Sequence, residues 1–290
     1  MVLSSIGKLA VTEVAFYVLA FALALFVTAK HGYGRQQGWV WIMVLSVVRI
    51  AGSACLIAVT TESNPSSTLL TVSGILDSIG LSFLIQVLLG LLIRLNQSTV
   101  DGNVAIPPQV LRLIHLPLLV GVVLGIIGGT DKSSSNASRS STGQNLLKVS
   151  TIIFLLIGLV VGGIIGATTL KHRSIIAGER RLLVAAIACF PLVFVRILYS
   201  LLCAFLTNST TFDLFHPDVI VDACMAVLME FLVVLIVLVA GLVAPKIPRG
   251  AVRGEPGAAV DARPERHNSR AGGDTKLMPM APRSGRGDIV

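Results

Sequence analysis

Residues 218–244 read DVIVDACMAVLMEFLVVLIVLVAGLVA, an apolar run that begins at Asp218 and contains two further acids, Asp222 and Glu230. An α-helix rises about 1.5 Å per residue, so about 20 such residues cross a hydrocarbon core about 30 Å thick. Over the whole chain, 54% of the residues are hydrophobic and 13% are charged, and the mean hydropathy is +0.85. This composition is not that of a soluble domain and predicts a polytopic membrane protein.

Six further apolar runs precede this one, at about residues 9–29, 39–60, 69–93, 109–128, 149–170 and 182–206. Together the runs predict an all-α, seven-transmembrane-helix bundle that occupies residues 1–246. Residues 247–290 are rich in Gly, Pro, Arg and Ala without hydrophobic periodicity, which predicts a disordered basic tail. The tail has eight Lys and Arg against five Asp and Glu, so it contributes +3 of the net charge of +8, and the rest is spread over residues 1–246. A charge spread along membrane spans in this way does not indicate nucleic-acid binding.

Lysine and arginine are distributed unevenly between the two ends of the predicted helices, and cytoplasmic loops retain these residues. One end carries the tail and Lys30, Arg35, Arg94, Arg112, Lys171, Arg173, Arg180 and Arg181. The other carries Lys8, Lys132, Arg139 and Lys148. We therefore predict an outside or lumenal N terminus and a cytosolic C terminus, in the endoplasmic reticulum or the plasma membrane. Sequons at Asn136 and Asn208 fall on the predicted outer face, where N-glycosylation occurs, and the sequon at Asn96 falls inside.

Six ionisable residues interrupt the apolar runs: Glu13, Arg49, Asp77, Arg196, Asp222 and Glu230. A charge inside a bilayer costs about 2.5–3.5 kcal/mol on translocon scales, so such residues usually pair, line a cavity or handle protons. Four acids face two arginines, and complete ionisation would leave two negative charges without a partner. At least one of these acids is therefore expected to carry a proton.

The motif V-R-I-x-x-S occurs at residues 48–53 and again at 195–200, and each copy precedes a helix that contains an aspartate. Both helix pairs run in the same direction, which predicts a 3+1+3 parallel repeat with the fourth span as a linker. We expect Arg49 to pair with Asp77, and Arg196 to pair with Asp222 or Glu230. The last two acids are eight residues apart and are predicted to share a helix face.

Glycines at four-residue spacing, which lets membrane helices approach closely, occur in the fourth and fifth predicted spans. They are Gly121, Gly125, Gly158, Gly162 and Gly166. These residues predict helix packing and carry no information about a ligand.

Motifs for metal, nucleotide or hydrolytic chemistry are absent from the chain. It has no H-E-x-x-H, no paired C-x-x-C, no G-x-S-x-G and no phosphate-binding glycine loop. The five histidines are scattered over helix ends, loops and the tail. We therefore predict neither a metal site nor a cofactor.

Four segments carry a resemblance to a known group of proteins. They are W-V-W-I at 39–42, V-V-R-I-A-G-S at 47–53, G-I-L-D-S-I-G-L-S at 74–82 and P-L-V-F-V-R-I-L-Y-S at 191–200. Over most of residues 5–245 the chain is similar to a fungal family of uncharacterised seven-span membrane proteins. It also resembles the transmembrane terpene cyclases of the ascochlorin and macrophorin kind. This resemblance implies a cyclase of fungal secondary metabolism that acts on a lipophilic, prenylated meroterpenoid precursor.

Cyclisation that starts by protonation of an olefin or epoxide needs a neutral carboxylic acid in a poorly solvated site. We predict Asp77 and Asp222 as proton donor and acceptor, with Glu13 and Glu230 as alternates. Arg49 and Arg196 would adjust the acidity of these groups. Aromatic faces could stabilise carbocations, although ordinary packing is the alternative interpretation. The candidates are Tyr17, Phe190, Phe194 and Tyr199.

Two other classes of function fit the same features. A receptor or sensor without enzymatic activity would use the long basic tail for cytosolic coupling. A proton-coupled transporter would use the buried acids and the repeat for alternating access. The charged residues are also consistent with ion pairs that only fix the packing of the bundle.

Overall fold

The computed structural model of the protein describes residues 5–31, 37–62, 67–97, 108–170, 180–206 and 219–243. The first five helices are α1 (Ser5–His31), α2 (Gln37–Thr61), α3 (Ser67–Gln97), α4 (Pro108–Leu113) and α5 (His115–Lys132). They are followed by α6 (Ala137–Leu170), α7 (Arg180–Phe205), α8 (Val219–Asp222), a π-helical turn (Ala223–Val227) and α9 (Leu228–Val243). The predicted tail and the sequon at Asn208 lie outside the described residues, and both stay predictions.

Seven helical segments of the described chain are long and apolar enough to cross a membrane. They are α1, α2, α3, α5, α6, α7 and the combined segment Val219–Val243. The predicted all-α, seven-helix fold is therefore confirmed, and no strand occurs in the described ranges. The 3+1+3 repeat stays a prediction.

α3 lies at the centre of the bundle, where it packs against α2, α5 and α7. Its buried leucines, among them Leu84 and Leu88, belong to the main hydrophobic core. α1 packs against α2 and α9, and α9 packs against α7. Large apolar side chains on the outward faces of α1, α5 and α6 remain exposed, for example Leu19, Leu119 and Leu156. Such faces are typical of helices in contact with lipid tails, which are as apolar as leucine.

α6 is longer than the span predicted from hydropathy. Its 34 residues extend about 51 Å at 1.5 Å per residue, against about 30 Å of hydrocarbon. Residues 137–148 are mostly polar, so hydropathy predicts only the second part of the helix. Asn136 precedes the first turn, and its Oδ1 accepts a hydrogen bond from the Ser138 backbone N–H at 3.1 Å.

Glycines bring α5 and α6 into close contact. A Cβ added at Gly128 would lie 2.9 Å from the backbone oxygen of Gly143 and 2.9 Å from the backbone nitrogen of Leu147. Across the same interface, Ser150 Oγ donates a hydrogen bond to the carbonyl oxygen of Gly121 at 2.7 Å. Close backbone approach and interhelical hydrogen bonds are the forces that hold helices together in lipid.

Most of the glycines with the predicted spacing lie at helix–helix contacts, but not all of them do. A Cβ added at Gly121 would lie 2.7 Å from Phe154, and one added at Gly158 would lie 2.6 Å from Ile197. A Cβ added at Gly166 would meet nothing within 4 Å. The spacing at Gly166 therefore does not correspond to a contact within the described part of the chain.

The last span contains a π-helical turn, closed by a hydrogen bond from the Leu228 N–H to the Ala223 carbonyl. Such a turn accommodates about one extra residue. In a regular α-helix, eight residues exceed two full turns by about 80°, because each residue turns the chain by about 100°. With the extra residue, the spacing between Asp222 and Glu230 comes within about 20° of two turns. The predicted shared face of these acids thus depends on a distortion that the sequence did not reveal.

Gly128→Ala is expected to destabilise the protein by about 1–3 kcal/mol, because the added methyl group meets backbone atoms of α6. Gly166→Ala is the matched control, since its methyl group meets nothing within 4 Å. Alanine also favours the helix by up to about 1 kcal/mol relative to glycine. Thermal unfolding of both variants in the same detergent measures the difference, and equal melting temperatures would contradict the close packing of α5 on α6.

Candidate functional site

Four charged side chains, from α2, α3, α7 and α9, form a closed ring in the bundle interior. Arg49 Nη1 donates to Asp77 Oδ1 at 2.5 Å, and Arg196 Nη2 donates to Asp77 Oδ2 at 2.8 Å. Both arginines also donate to Glu230 Oε1, Arg196 through Nε at 3.0 Å and Arg49 through Nη2. We call these four residues the charge ring. Cations and carboxylates alternate around it in equal number, so the charge ring is neutral.

The charge ring is buried and its hydrogen bonds are nearly complete. The side chains of Arg196 and Glu230 are each 1% exposed, whereas Asp77 is 35% exposed. Tyr17 Oη donates to Glu230 Oε2 at 2.9 Å, and Arg196 Nη1 donates to Ser200 Oγ at 2.7 Å. Additional hydrogen bonds of this kind offset the desolvation of buried charges. Asp77 is therefore the most accessible acid of the ring.

Gly80 on α3 makes room for the Arg49 side chain. A Cβ at this position would lie 2.9 Å from Arg49 Nε and 3.1 Å from Cζ. Nε is buried and has no hydrogen-bond partner among the described residues. A larger residue at position 80 would therefore have to displace the guanidinium group. No local sequence pattern predicts this role of Gly80, since it depends on a side chain of another helix.

Two acids outside the charge ring, Glu13 and Asp222, form no ion pair with any described residue. Ser53 Oγ donates to Glu13 Oε2 at 2.5 Å, and Tyr199 Oη donates to Asp222 Oδ1 at 3.2 Å. We call Glu13 and Asp222 the surplus acids. The sequence predicted that Glu13 and one acid of the last span would lack a cationic partner, and the structure identifies the second acid as Asp222.

The arginines are shared more widely than the sequence predicted. The expected pair of Arg49 and Asp77 is present. For Arg196 the sequence left Asp222 and Glu230 open, and the structure selects Glu230. Arg196 also binds Asp77, so the two expected pairs merge into one ring. The contacts of Arg49 with Glu230 and of Arg196 with Asp77 join the two predicted repeats. A motif that lies within one repeat could not predict them.

A cavity of about 430 Å³ lies beside the charge ring. Both surplus acids line it, as does every member of the charge ring except Glu230. On α3 its lining extends from Ser67 to Leu81, about 21 Å along the helix at 1.5 Å per residue. The cavity is therefore a slot that follows the helices from their ends to the polar interior.

Most of the remaining cavity wall is apolar. Its side chains come from several helices and include Ile6, Leu9, Leu56, Leu70, Phe154 and Val219. Apolar walls with a few polar groups are typical of sites for small organic ligands. Among the described residues, no three His, Cys, Asp or Glu side chains converge as metal ligands.

Only one of the four predicted aromatic residues lines the cavity, namely Tyr199, whose ring centroid lies 5.5 Å from Arg196 Cζ. Phe154 also lines the cavity and was not predicted. Its role arises from the contact of α6 with the centre of the bundle, which hydropathy does not reveal. Three of the predicted aromatics lie away from the cavity wall: Tyr17, Phe190 and Phe194.

Residues 3–247 match a protein family described as Domain of unknown function (DUF7702). The chain belongs to the DUF7702 family. No curated protein and no solved structure matches it. The matched range includes all seven spans and the entire cavity of this DUF7702 protein. The family description specifies no activity.

The site of this DUF7702 protein contains acids in two different settings. Asp77 accepts hydrogen bonds from two guanidinium groups, which hold it as a carboxylate. The surplus acids accept hydrogen bonds only from hydroxyl groups of the described residues. The same cavity is therefore lined by Asp77, a carboxylate bound by two arginines, and by the surplus acids, which no arginine binds.

Glu230→Gln is expected to destabilise this DUF7702 protein by about 3–5 kcal/mol, because two buried guanidinium groups would share a single carboxylate. Asp131→Asn is the matched control. It removes an acid from a surface pair with Arg139 at 3.5 Å, in which the arginine is mostly exposed, and should cost at most about 1 kcal/mol. Thermal unfolding in nanodiscs measures both effects. If Glu230→Gln lowers the stability by no more than the control does, the result would refute a structural role for the charge ring.

Proposed function

We propose that this DUF7702 protein is an integral membrane terpene cyclase, which protonates an olefin or epoxide of a prenylated meroterpenoid precursor. The proposal is supported by the surplus acids, which face an apolar cavity beside a neutral charge ring. Proton-initiated cyclisation needs an acid that stays neutral in a poorly solvated environment. Surplus acids that carry protons would meet this need and would also remove the excess negative charge.

Asp222 is the proposed proton donor, with Glu13 as the alternate. Tyr199 donates to Oδ1 of Asp222, and Oδ2 has no partner among the described residues. The proton would pass from the Asp222 carboxyl group to the terminal double bond or the epoxide oxygen. With an epoxide, the protonated oxygen would leave its carbon as a hydroxyl group when the C–O bond breaks. The next double bond would then attack the resulting cation, and each ring closure would consume one π bond and form one carbon–carbon single bond.

Asp77 is the proposed proton acceptor. Arg49 and Arg196 keep it ionised, and its side chain is the most exposed in the charge ring. Loss of a proton from the final cation to Asp77 would complete the isomerisation of the substrate. Transfer of that proton from Asp77 back to Asp222 would then restore both groups, so the full cycle would consume no proton. The π faces of Tyr199 and Phe154 would stabilise the cations on the way. Glu230, the other predicted alternate, does not line the cavity, so we do not propose it as a donor or acceptor.

The dimensions of the cavity agree with this substrate class. Its volume of about 430 Å³ lies within the range of about 300–1,000 Å³ typical of small-molecule sites. The slot follows α3 for about 21 Å, which admits an extended isoprenoid chain. A lipophilic substrate could also reach the cavity without leaving the bilayer.

The cyclase proposal is tested in a yeast or fungal host that expresses the protein and is fed prenylated phenols or their terminal epoxides. We expect a cyclised isomer from the wild type and none from Asp222→Asn, because an amide cannot supply the proton. Glu62→Gln is the matched control, since this acid is exposed and does not line the cavity. Unchanged substrate in membranes that contain folded wild-type protein would refute the activity.

We also propose that the N terminus lies outside or in the lumen and the C terminus in the cytosol, as the lysine and arginine distribution favours. With this orientation, the polar first turns of α6 would carry Asn136 beyond the membrane, where it is open to glycosylation. Asn136→Gln should therefore abolish a gel shift produced by removal of N-glycans in an Asn208→Gln background. Asn96→Gln is the matched control and should leave the shift unchanged. If the gel shift is lost in Asn96→Gln and kept in Asn136→Gln, the result would contradict the proposed orientation and indicate the opposite one.

A further inference from the structure

Glu13 has a carboxylate oxygen without a partner beside the cavity. Ser53 Oγ donates to Oε2 at 2.5 Å, whereas Oε1 accepts no hydrogen bond from a described residue. The side chain is only 9% exposed and lines the cavity. Ser53 thus fixes the orientation of the carboxyl group and leaves one oxygen for a ligand.

The charged groups on the helices around α1 leave Glu13 uncompensated. Arg49 on α2, Asp77 on α3 and Glu230 on α9 act on it electrostatically. Asp222 lies on α8, which also packs against α1. Arg49 already donates to Asp77 and Glu230, so its charge is shared within the charge ring. A carboxylate at Glu13 would therefore attract a cation.

An apolar part of the cavity adjoins Glu13. Glu13 lies seven positions after Ile6 on α1, which corresponds to about 10 Å of helix. α2 provides the facing wall. The apolar side chains that line this part are Ile6, Leu9, Ala10, Leu56 and Val59. A hydrocarbon chain could lie here with its polar end at Glu13.

We infer that the cavity binds a lipophilic ammonium ion, whose N–H group donates to Glu13 Oε1 and whose apolar chain lies between α1 and α2. A charge-assisted hydrogen bond is strong where water is excluded. A single carboxylate with one hydroxyl group offers too few oxygens for calcium or magnesium, which take six or more ligands. If Glu13 is protonated in the empty cavity, its proton leaves to water as the ligand enters.

This inference deepens the proposed function, since an ammonium ion has the positive charge of the proposed cyclisation intermediates. The inferred binding of an ammonium ion rests on the proposed function only because the ammonium ion and the cyclisation substrate would occupy the same cavity. Binding is measured without turnover, so the two proposals can fail separately. A protein that binds the ammonium ion and forms no cyclised product would refute the cyclase alone.

The test compares binding of radiolabelled decylamine and decanol to the full chain in nanodiscs at pH 7, with empty nanodiscs as the blank. An alkylamine is protonated at this pH, as lysine is. We expect decylamine to bind about tenfold more tightly than decanol, and Glu13→Gln to weaken decylamine binding by about tenfold or more. Decanol binding should not change in this variant. Glu62→Gln is the matched control and should leave both affinities unchanged.

Equal affinities for decylamine and decanol would overturn the inference, as would unchanged decylamine binding in Glu13→Gln. A second variant covers the case in which Glu13→Gln does not fold. Leu56→Trp would fill the apolar part of the cavity and should weaken the binding of both compounds. Unchanged decylamine binding in folded Leu56→Trp would equally overturn the inference.

Discussion

Arg49, Asp77, Arg196 and Glu230 come from four different helices and satisfy one another's charges in the bundle interior. Arg49, Arg196 and Glu230 are at most 6% exposed, so water could not readily replace a lost partner of these residues and each depends on the others. Rotation of α2, α3, α7 or α9 about its axis would leave a buried charge unpaired. The ring therefore sets the register in which these helices meet.

Neutrality of the charge ring gives the cavity its chemical character. Two arginines balance Asp77 and Glu230, so Glu13 and Asp222 are left as acids without an ion pair among the described residues. Both surplus acids line the cavity, whereas Glu230 is enclosed by its donors. The residues that stabilise the bundle are thus those that form ion pairs, and the surplus acids proposed to act on a ligand are those that do not. Only Asp77 belongs to both groups, because it is ion-paired and also proposed as the proton acceptor.

The sequence predicted the seven spans and the six interior charges, because hydrophobic length and the cost of buried charge are local properties. It also predicted the pair of Arg49 and Asp77. The second contact of each arginine, the space at Gly80 and the place of Phe154 were missed, because they depend on how distant helices meet. The π turn before Glu230 was missed for a related reason, since no local sequence signal marks it.

The proposed chemistry depends on surplus acids that are neutral beside an ionised charge ring. Infrared spectroscopy of the protein in nanodiscs at neutral pH measures the carbonyl stretch of protonated carboxyl groups directly. We expect this absorbance to fall in Glu13→Gln and again in Asp222→Asn, with a separate component lost in each variant. If the wild type lacks this absorbance, the division of the acids is contradicted. It is also contradicted if the absorbance is lost in Asp77→Asn and kept in both Glu13→Gln and Asp222→Asn.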